Sequence, residues 1–297
     1  MKQLMSLYYG IKLKKLNRVK LHLGYAGYCL AKENHTIKGA RKINIKFNAL
    51  WGLIQHPSKG YILFDTGYTK RFFEATKRYP NKLYANLTKV FLKDSEEVKE
   101  QLNKNNISCD DIKHIIISHF HADHVGGLKD FRNAQIHVSK AALNQVNNIP
   151  KFFAFSKGIL KDLIPRDLNS RVSIIEEKST IIRDSIFNFK YDLFGDDSLI
   201  AFKLGGHAAG QIGLLLETNK GKYFLIADAC WNIKAIVNNK LPDPIVRIFF
   251  DSWNDYKKSI QKVKEFHISN SSVKIIPTHC AATTDPLVSN KFFSNEL

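Results

Sequence analysis

Short apolar runs that end in polar turns recur along this chain and predict strands buried on both faces. Residues 61–64 run into Asp65-Thr66-Gly67, 114–117 into Ser118-His119, 223–227 into Asp228, and 273–276 into Pro277-Thr278-His279. Four or five mostly apolar residues bounded by Gly, Asp or Pro suit a strand better than a helix. Helical spacing appears between these runs. Asp94-Ser95-Glu96-Glu97 reads as a capping box ahead of Val98 and Leu102, and Asn105-Asn106 stops that helix. Ser252 opens a second helix, with Trp253, Tyr256, Ile260 and Val263 three or four residues apart along its buried stripe. Residues 187–193 and 199–204 flank the Gly195-Asp196-Asp197 turn and predict a hairpin. Hairpins mixed with strand–helix alternation point to sheets covered by helices.

No low-complexity linker or short-period repeat interrupts the pattern, so residues 1–297 read as one domain, with residues 1–20 as a peripheral basic segment. With 44% hydrophobic and 24% charged residues over 297 positions, the chain can bury a core, which excludes wholesale disorder. No apolar run is long enough for a membrane span. Lys12, Lys14, Lys15, Arg18 and Lys20 break up the region after the first ten residues, so a signal peptide is not expected and the address reads as cytoplasmic.

The formal net charge of +18 would ordinarily raise nucleic acid as a partner. Only nine of the 45 basic residues are Arg, the side chain suited to gripping phosphate bidentately. The charge therefore reads as lysine bias, and no nucleic-acid partner is expected. Cys29, Cys109, Cys230 and Cys280 show no dense spacing and read as reduced thiols, with Cys230 and Cys280 as small packing residues. The sequence carries no signal for an oligomeric state.

Candidate chemistry concentrates in Ser118-His119-Phe120-His121-Ala122-Asp123-His124-Val125-Gly126-Gly127. Three imidazoles and a carboxylate within six residues are poor core material, because each desolvated polar group needs a partner. Metal ions supply such partners. In an extended turn His119 and His121 project to one side, while Asp123 and His124 reach a second position nearby, so one loop can serve two ions. Gly126 and Gly127 are expected to let the backbone turn sharply beneath the site. Further donors stand at strand ends: His207 in a glycine-rich turn, Asp228 and His279. Asp228 has one oxygen for each of two metals. Asp65 either caps its own turn or orients a ligand imidazole. His22, His35, His56, His114, His137 and His267 show no ligand spacing and read as structural or exposed.

Taken in order, these motifs resemble the metallo-β-lactamase-fold hydrolases, over most of the chain from Leu50 to Cys280. The resemblance implies an α+β fold, an αββα sandwich of two mixed sheets, and a binuclear site for two divalent ions, with zinc expected. It implies that His119, His121 and His207 hold one metal, that Asp123, His124 and His279 hold the other, and that Asp228 bridges. His124 stands where one β-lactamase type has Arg, and Asp228 is absent from another. His121 stands where flavodiiron proteins have Glu, and only a short tail follows His279, where glyoxalase II carries a helical extension.

Length and spacing are similar to the N-acyl homoserine lactone lactonase-like group, which implies quorum quenching. A metal-bridging hydroxide would then open a lactone or cleave a carboxylic ester, with a small-molecule ester or lactone as partner. Asp123 or Asp228 would pass a proton to the departing alkoxide. That group carries Tyr three residues after the bridging Asp, where this chain has Trp231, whose indole N–H could donate one hydrogen bond to substrate. The alternative is a phosphodiesterase using the same site on a small anionic or nucleic-acid substrate. Phe152, Phe153, Phe155, Ile159, Leu160, Leu163 and Ile164 read either as an acyl pocket or as the packing of a helical insertion, and Tyr25, Tyr28, Tyr68, Phe72 and Phe73 invite the same two readings.

Overall fold

Two sheets face one another, and helices cover the outer face of each, in a computed structural model that describes residues 18–293. The first sheet has the order β4-β1-β2-β3-β5-β6-β7. Its strands are β1 (Lys20–Lys32), β2 (Asn44–His56), β3 (Gly60–Phe64), β4 (Val90–Phe91), β5 (Ile112–Ile116), β6 (Gln135–Val138) and β7 (Val172–Ile174). The first half is antiparallel, whereas β3, β5, β6 and β7 run parallel.

The second sheet is a meander of β8 (Thr180–Asp184), β9 (Asn188–Asp192), β10 (Leu199–Lys203), β11 (Ile212–Thr218) and β12 (Gly221–Ala227), closed by β13 (Val273–Pro277) parallel to β12. This is the αββα sandwich of two mixed sheets that the resemblance implies.

Strand alternation builds three apolar layers from one sequence pattern. In β12, Tyr223, Leu225 and Ala227 point between the sheets, where they meet Leu21, Leu23, Ile54, Phe64 and Ile116 from the first sheet. Phe224 and Ile226 point the other way, against Tyr256, Ile260, Val263 and Phe266 of the helix Trp253–Ser269. Ser252 caps that helix, its hydroxyl accepting from Asp255 N at 3.3 Å. The outer face of the first sheet packs Leu53, Leu63, Ile115 and Ile136 against Val98, Leu102, Val125 and Leu143.

The capping box expected at residues 94–97 takes another form. A 3-10 turn spans Asp94–Glu96, and the Glu96 carboxylate accepts from Lys93 N at 2.8 Å. Glu97 is buried and accepts from Lys70 N at 2.8 Å, so its carboxylate ties two segments together and leaves the local cap to Glu96. Of the expected basic N-terminal segment, residues 1–17 lie outside the described residues. Val19 is buried and donates its N–H to Glu217 O, and Lys20 opens β1. Among the described residues, no helix is long and apolar enough to cross a membrane.

Candidate metal centre

The candidate donors converge at one edge of the sandwich because each follows a strand that ends there. β5 continues through Ile117 and Ser118 into His119 and His121, and Asp123 and His124 lie in the short helix Ala122–Val125. The main chain clamps this loop: Thr66 N donates to His124 O at 2.8 Å, and Thr66 Oγ1 does so at 3.0 Å. Gly126 and Gly127 have right-handed backbones, so sharp turning is not what they provide. A Cβ on Gly126 would sit 2.5 Å from Gly67 O, and one on Gly127 2.7 Å from Thr66 O, so these glycines admit the neighbouring turn to close packing.

His207 follows β10. Gly206, at φ +119°, would put a Cβ 2.0 Å from Tyr256 N, and its carbonyl accepts from Ser252 N at 2.9 Å. Asp228 follows β12, and His279 follows β13. Both are buried, and the parallel pairing of these strands brings the two side by side.

All seven residues come together as three overlapping triplets: His119, His121 and His207; His119, His124 and Asp228; and Asp123, His124 and His279. Within each triplet one donor atom per residue lies within 4.8 Å of the others. Asp228 Oδ2 lies 3.3 Å from His207 Nε2 and 3.1 Å from His279 Nε2, and its Oδ1 lies 3.5 Å from His124 Nε2. It therefore stands between the two outer triplets.

Several donors are already oriented. His279 Nδ1 donates to the Asn48 carbonyl at 2.9 Å, which turns Nε2 inward. His124 Nδ1 lies 2.7 Å from Asp65 Oδ2, while Asp65 also accepts from Ser118 N and Ser118 Oγ, each at 2.8 Å. Of the two roles weighed for Asp65, the orienting contact is the one present. Its own backbone sits at φ +57°, held by its N–H donating to Ile116 O.

Four buried polar atoms in the cluster make no hydrogen bond: His119 Nε2, His124 Nε2, His207 Nδ1 and Asp228 Oδ1. Two cations seated among the triplets would satisfy three of them, and the mix of imidazole and carboxylate donors suits zinc and other divalent first-row metals. The charge balance agrees. Burial drives the imidazole of His207 down to about 3 and that of His119 well below its ordinary range, so both are neutral electron-pair donors. Burial works against the charged form of Asp123, but the imidazoles of His124 and His279 outweigh it and hold the carboxyl at about 2. Burial likewise opposes protonation of His124, yet Asp123 and Asp65 raise it well above the ordinary range. A carboxylate pair that holds a proton there will also attract a cation.

Above the cluster lies a cavity of about 640 Å³, lined by His121, Asp123, His207, Asp228 and His279 at its floor. Its walls come from segments the sequence did not connect: Cys29 and Leu30, Tyr68, Tyr84 and Leu87, Phe155, Trp231, Val246 and Phe249. Trp231 donates its indole N–H to Asp228 Oδ2 at 3.1 Å, so the donor expected to meet substrate is occupied by a cluster carboxylate.

Of the greasy stretch 152–164, only Phe155 among the apolar residues reaches the cavity. Phe152 and Phe153 are exposed, and Ile159, Leu160 and Leu163 are buried in the layer outside the first sheet. Tyr68 lines the cavity, Phe72 is core, and Phe73 is partly exposed. His35, grouped with the structural histidines, also lines the cavity. Cys29 was another residue without a sequence signal. Burial pushes its thiol up to about 12. Cys230 and Cys280 are buried packing residues, and Cys280 Sγ accepts from Ile233 N at 3.4 Å. His114 faces His137 across 3.1 Å, away from the cluster.

Residues 45–279 match the family model described as the metallo-beta-lactamase superfamily. An N-acyl homoserine lactonase, AttM, of Azorhizobium caulinodans is 26% identical over 71% of this chain and 74% of its own length. The AttM lactonase of Rhizobium radiobacter is 27% identical over 52% of this chain and 54% of its own, so the chain spans about half of that relative. A solved N-acyl homoserine lactone hydrolase, bound to the product N-hexanoyl-L-homoserine, superposes with a TM-score of 0.71 at 18% identity, covering 91% of this chain and 96% of that one.

Proposed function

Since this chain belongs to the metallo-beta-lactamase superfamily, we propose that it is a binuclear metal hydrolase that opens lactones or cleaves carboxylic esters, an N-acyl homoserine lactone among them. The observation that carries this reading is the convergence of three donor triplets at the floor of a mostly apolar cavity. His119, His121 and His207 would hold one divalent ion, Asp123, His124 and His279 the other, and Asp228 both, with zinc as the resident metal. Ions held there lower the pKa of bound water and polarise a carbonyl.

The chain's own groups do the rest. The apolar walls exclude water and receive the acyl part, while the carbonyl is directed to the floor. Asp123, at the floor of the cavity, takes the proton released on attack and returns it to the departing alkoxide oxygen. Asp228 is held by His279, His207 and Trp231 and keeps the two donor sets in register. Asp65 fixes the His124 ring through Nδ1.

The test is a panel of acyl lactones, aryl esters and bis(aryl) phosphates with metal-loaded protein. We expect the highest kcat/KM on a lactone or ester, changing only about threefold between low and physiological salt, since a neutral substrate feels little of the net charge. Preference for the phosphate diester with steep salt inhibition would replace this reading by phosphodiester hydrolysis.

A further inference from the structure

The cavity opens through a mouth that is unusually apolar for a surface. Leu87, Ile248 and Phe249 line the cavity, yet they are 72%, 71% and 49% exposed. Leu83 lies one turn before Leu87 in the helix Lys82–Leu87, which has no buried residue, and it is also exposed. Ile245 and Ile248 share one side of the 3-10 turn Pro244–Phe249, which Val246 within it and Phe250 directly after it anchor as buried residues. Apolar side chains on two separate segments thus stand out around one opening.

The same segments are strongly cationic. Residues 28–46, 76–91, 151–157 and 231–250 each contribute to the cavity, and together they carry fourteen Lys or Arg against two acidic residues, Glu33 and Asp243. Arg41, Lys77, Lys151 and Lys157 are paired with carboxylates. The others, among them Lys32, Lys82, Lys89, Lys240 and Arg247, are exposed; Lys32 lines the cavity, Lys82 and Lys89 flank Leu83 and Leu87 in sequence, and Arg247 directly precedes Ile248.

This combination selects among occupants. A second copy would set one cationic mouth against another. The segment 1–17 carries Lys2, Lys12, Lys14 and Lys15 with no acidic residue, so it too is repelled. A nucleic acid would pair with the cations but would leave the aliphatic tips Leu83, Leu87, Ile245 and Ile248 largely in water. An anionic lipid surface takes both features, with apolar tips in the acyl boundary and Lys and Arg at the headgroups.

We propose that this mouth docks on an anionic lipid surface, so that the cavity opens toward the headgroup–acyl boundary and receives its acyl substrate there. Delivery of a substrate rests on the hydrolase reading. Docking does not, and it is measured without turnover.

The experiment is co-sedimentation of the full chain with vesicles of phosphatidylcholine alone or of phosphatidylcholine with phosphatidylglycerol. Binding should require phosphatidylglycerol and weaken with salt. Lys240→Gln with Arg247→Gln should weaken it roughly 25-fold, at about fivefold for each cation near an anionic surface. Ile245→Ser, at a position outside the cavity, should weaken it about tenfold while leaving hydrolysis of a water-soluble ester unchanged. Far-ultraviolet circular dichroism checks that each variant folds. Equal binding to both vesicle types would overturn the proposal. So would a dimer that Ile245→Ser dissociates. Binding that survives these variants and is lost with Lys12→Gln, Lys14→Gln and Lys15→Gln would assign the contact to the N-terminal segment instead.

Discussion

Trp231 Nε1 donates to Asp228 Oδ2 at 3.1 Å, on the carboxylate that stands between the two outer donor triplets. The indole also packs edge-on against His207 and Phe47 and lies against Phe250. It therefore restrains Asp228 by a charge-assisted hydrogen bond and His207 by contact.

Trp231→Phe keeps most of the packing and removes the N–H. A hydrogen bond to a charged group contributes about 1.5–3 kcal/mol, so kcat/KM should fall about tenfold or more, with a matching loss of metal affinity in a chelator competition. Wild-type values in both measurements would mean that the indole only packs.

Asp228→Ala should reduce the metal content of protein purified without chelator from about two equivalents toward one, because in the proposed site that carboxylate would serve both ions. Elemental analysis decides this. Two tightly held equivalents in the variant would contradict the bridging role.

Asp65→Asn can keep an oxygen for Ser118 N but then turns an amide NH2 toward His124 Nδ1, where the carboxylate oxygen stands at 2.7 Å, and it removes the charge. Partners that orient a ligand imidazole are worth about 10–100-fold in metal affinity, and competition against a chelator should show a loss in that range.

His121→Ala or Asp123→Ala should abolish turnover with little change in the melting temperature, since the sheets hold most of the apolar core. His114→Ala should leave kcat/KM within about twofold, because that ring pairs with His137 away from the cluster. Loss of activity in His114→Ala equal to that in His121→Ala would refute the donor assignment.

Burial lowers His22 and His137 to about 4, from an ordinary value of 6.5. Between these values the unfolded chain binds the proton and the folded chain does not, so stability rises with pH across that window and is lost as pH falls from about 6.5 to about 4. Each group contributes a slope of at most about 1.4 kcal/mol per pH unit. Urea midpoints across this range should show the decline. His22→Phe, beside Trp51 and Phe292, should flatten it.

The cluster of seven candidate donors that the structure brings together is legible in the sequence because its pattern is local. His119, His121, Asp123 and His124 follow directly after one strand, and His207, Asp228 and His279 each close another, so a one-dimensional pattern of apolar run and polar turn finds them all. The layered fold was legible for a similar reason, since both faces of β12 alternate between apolar layers. Direction and partnership were not legible. The sequence offered Trp231 to substrate, and the structure turns it to Asp228. Phe152, Phe155 and Leu160 looked alike, yet the fold sends them to solvent, cavity and core. Glu97 reads as a cap but ties down Lys70 N. Cys29, Tyr84 and Phe249 carry no motif and meet only because β1, the helix Lys82–Leu87 and the turn Pro244–Phe249 close over one cavity. Backbone propensity and strand-end chemistry are properties of neighbours in sequence, whereas the aim of a side chain depends on packing between segments that the sequence keeps far apart.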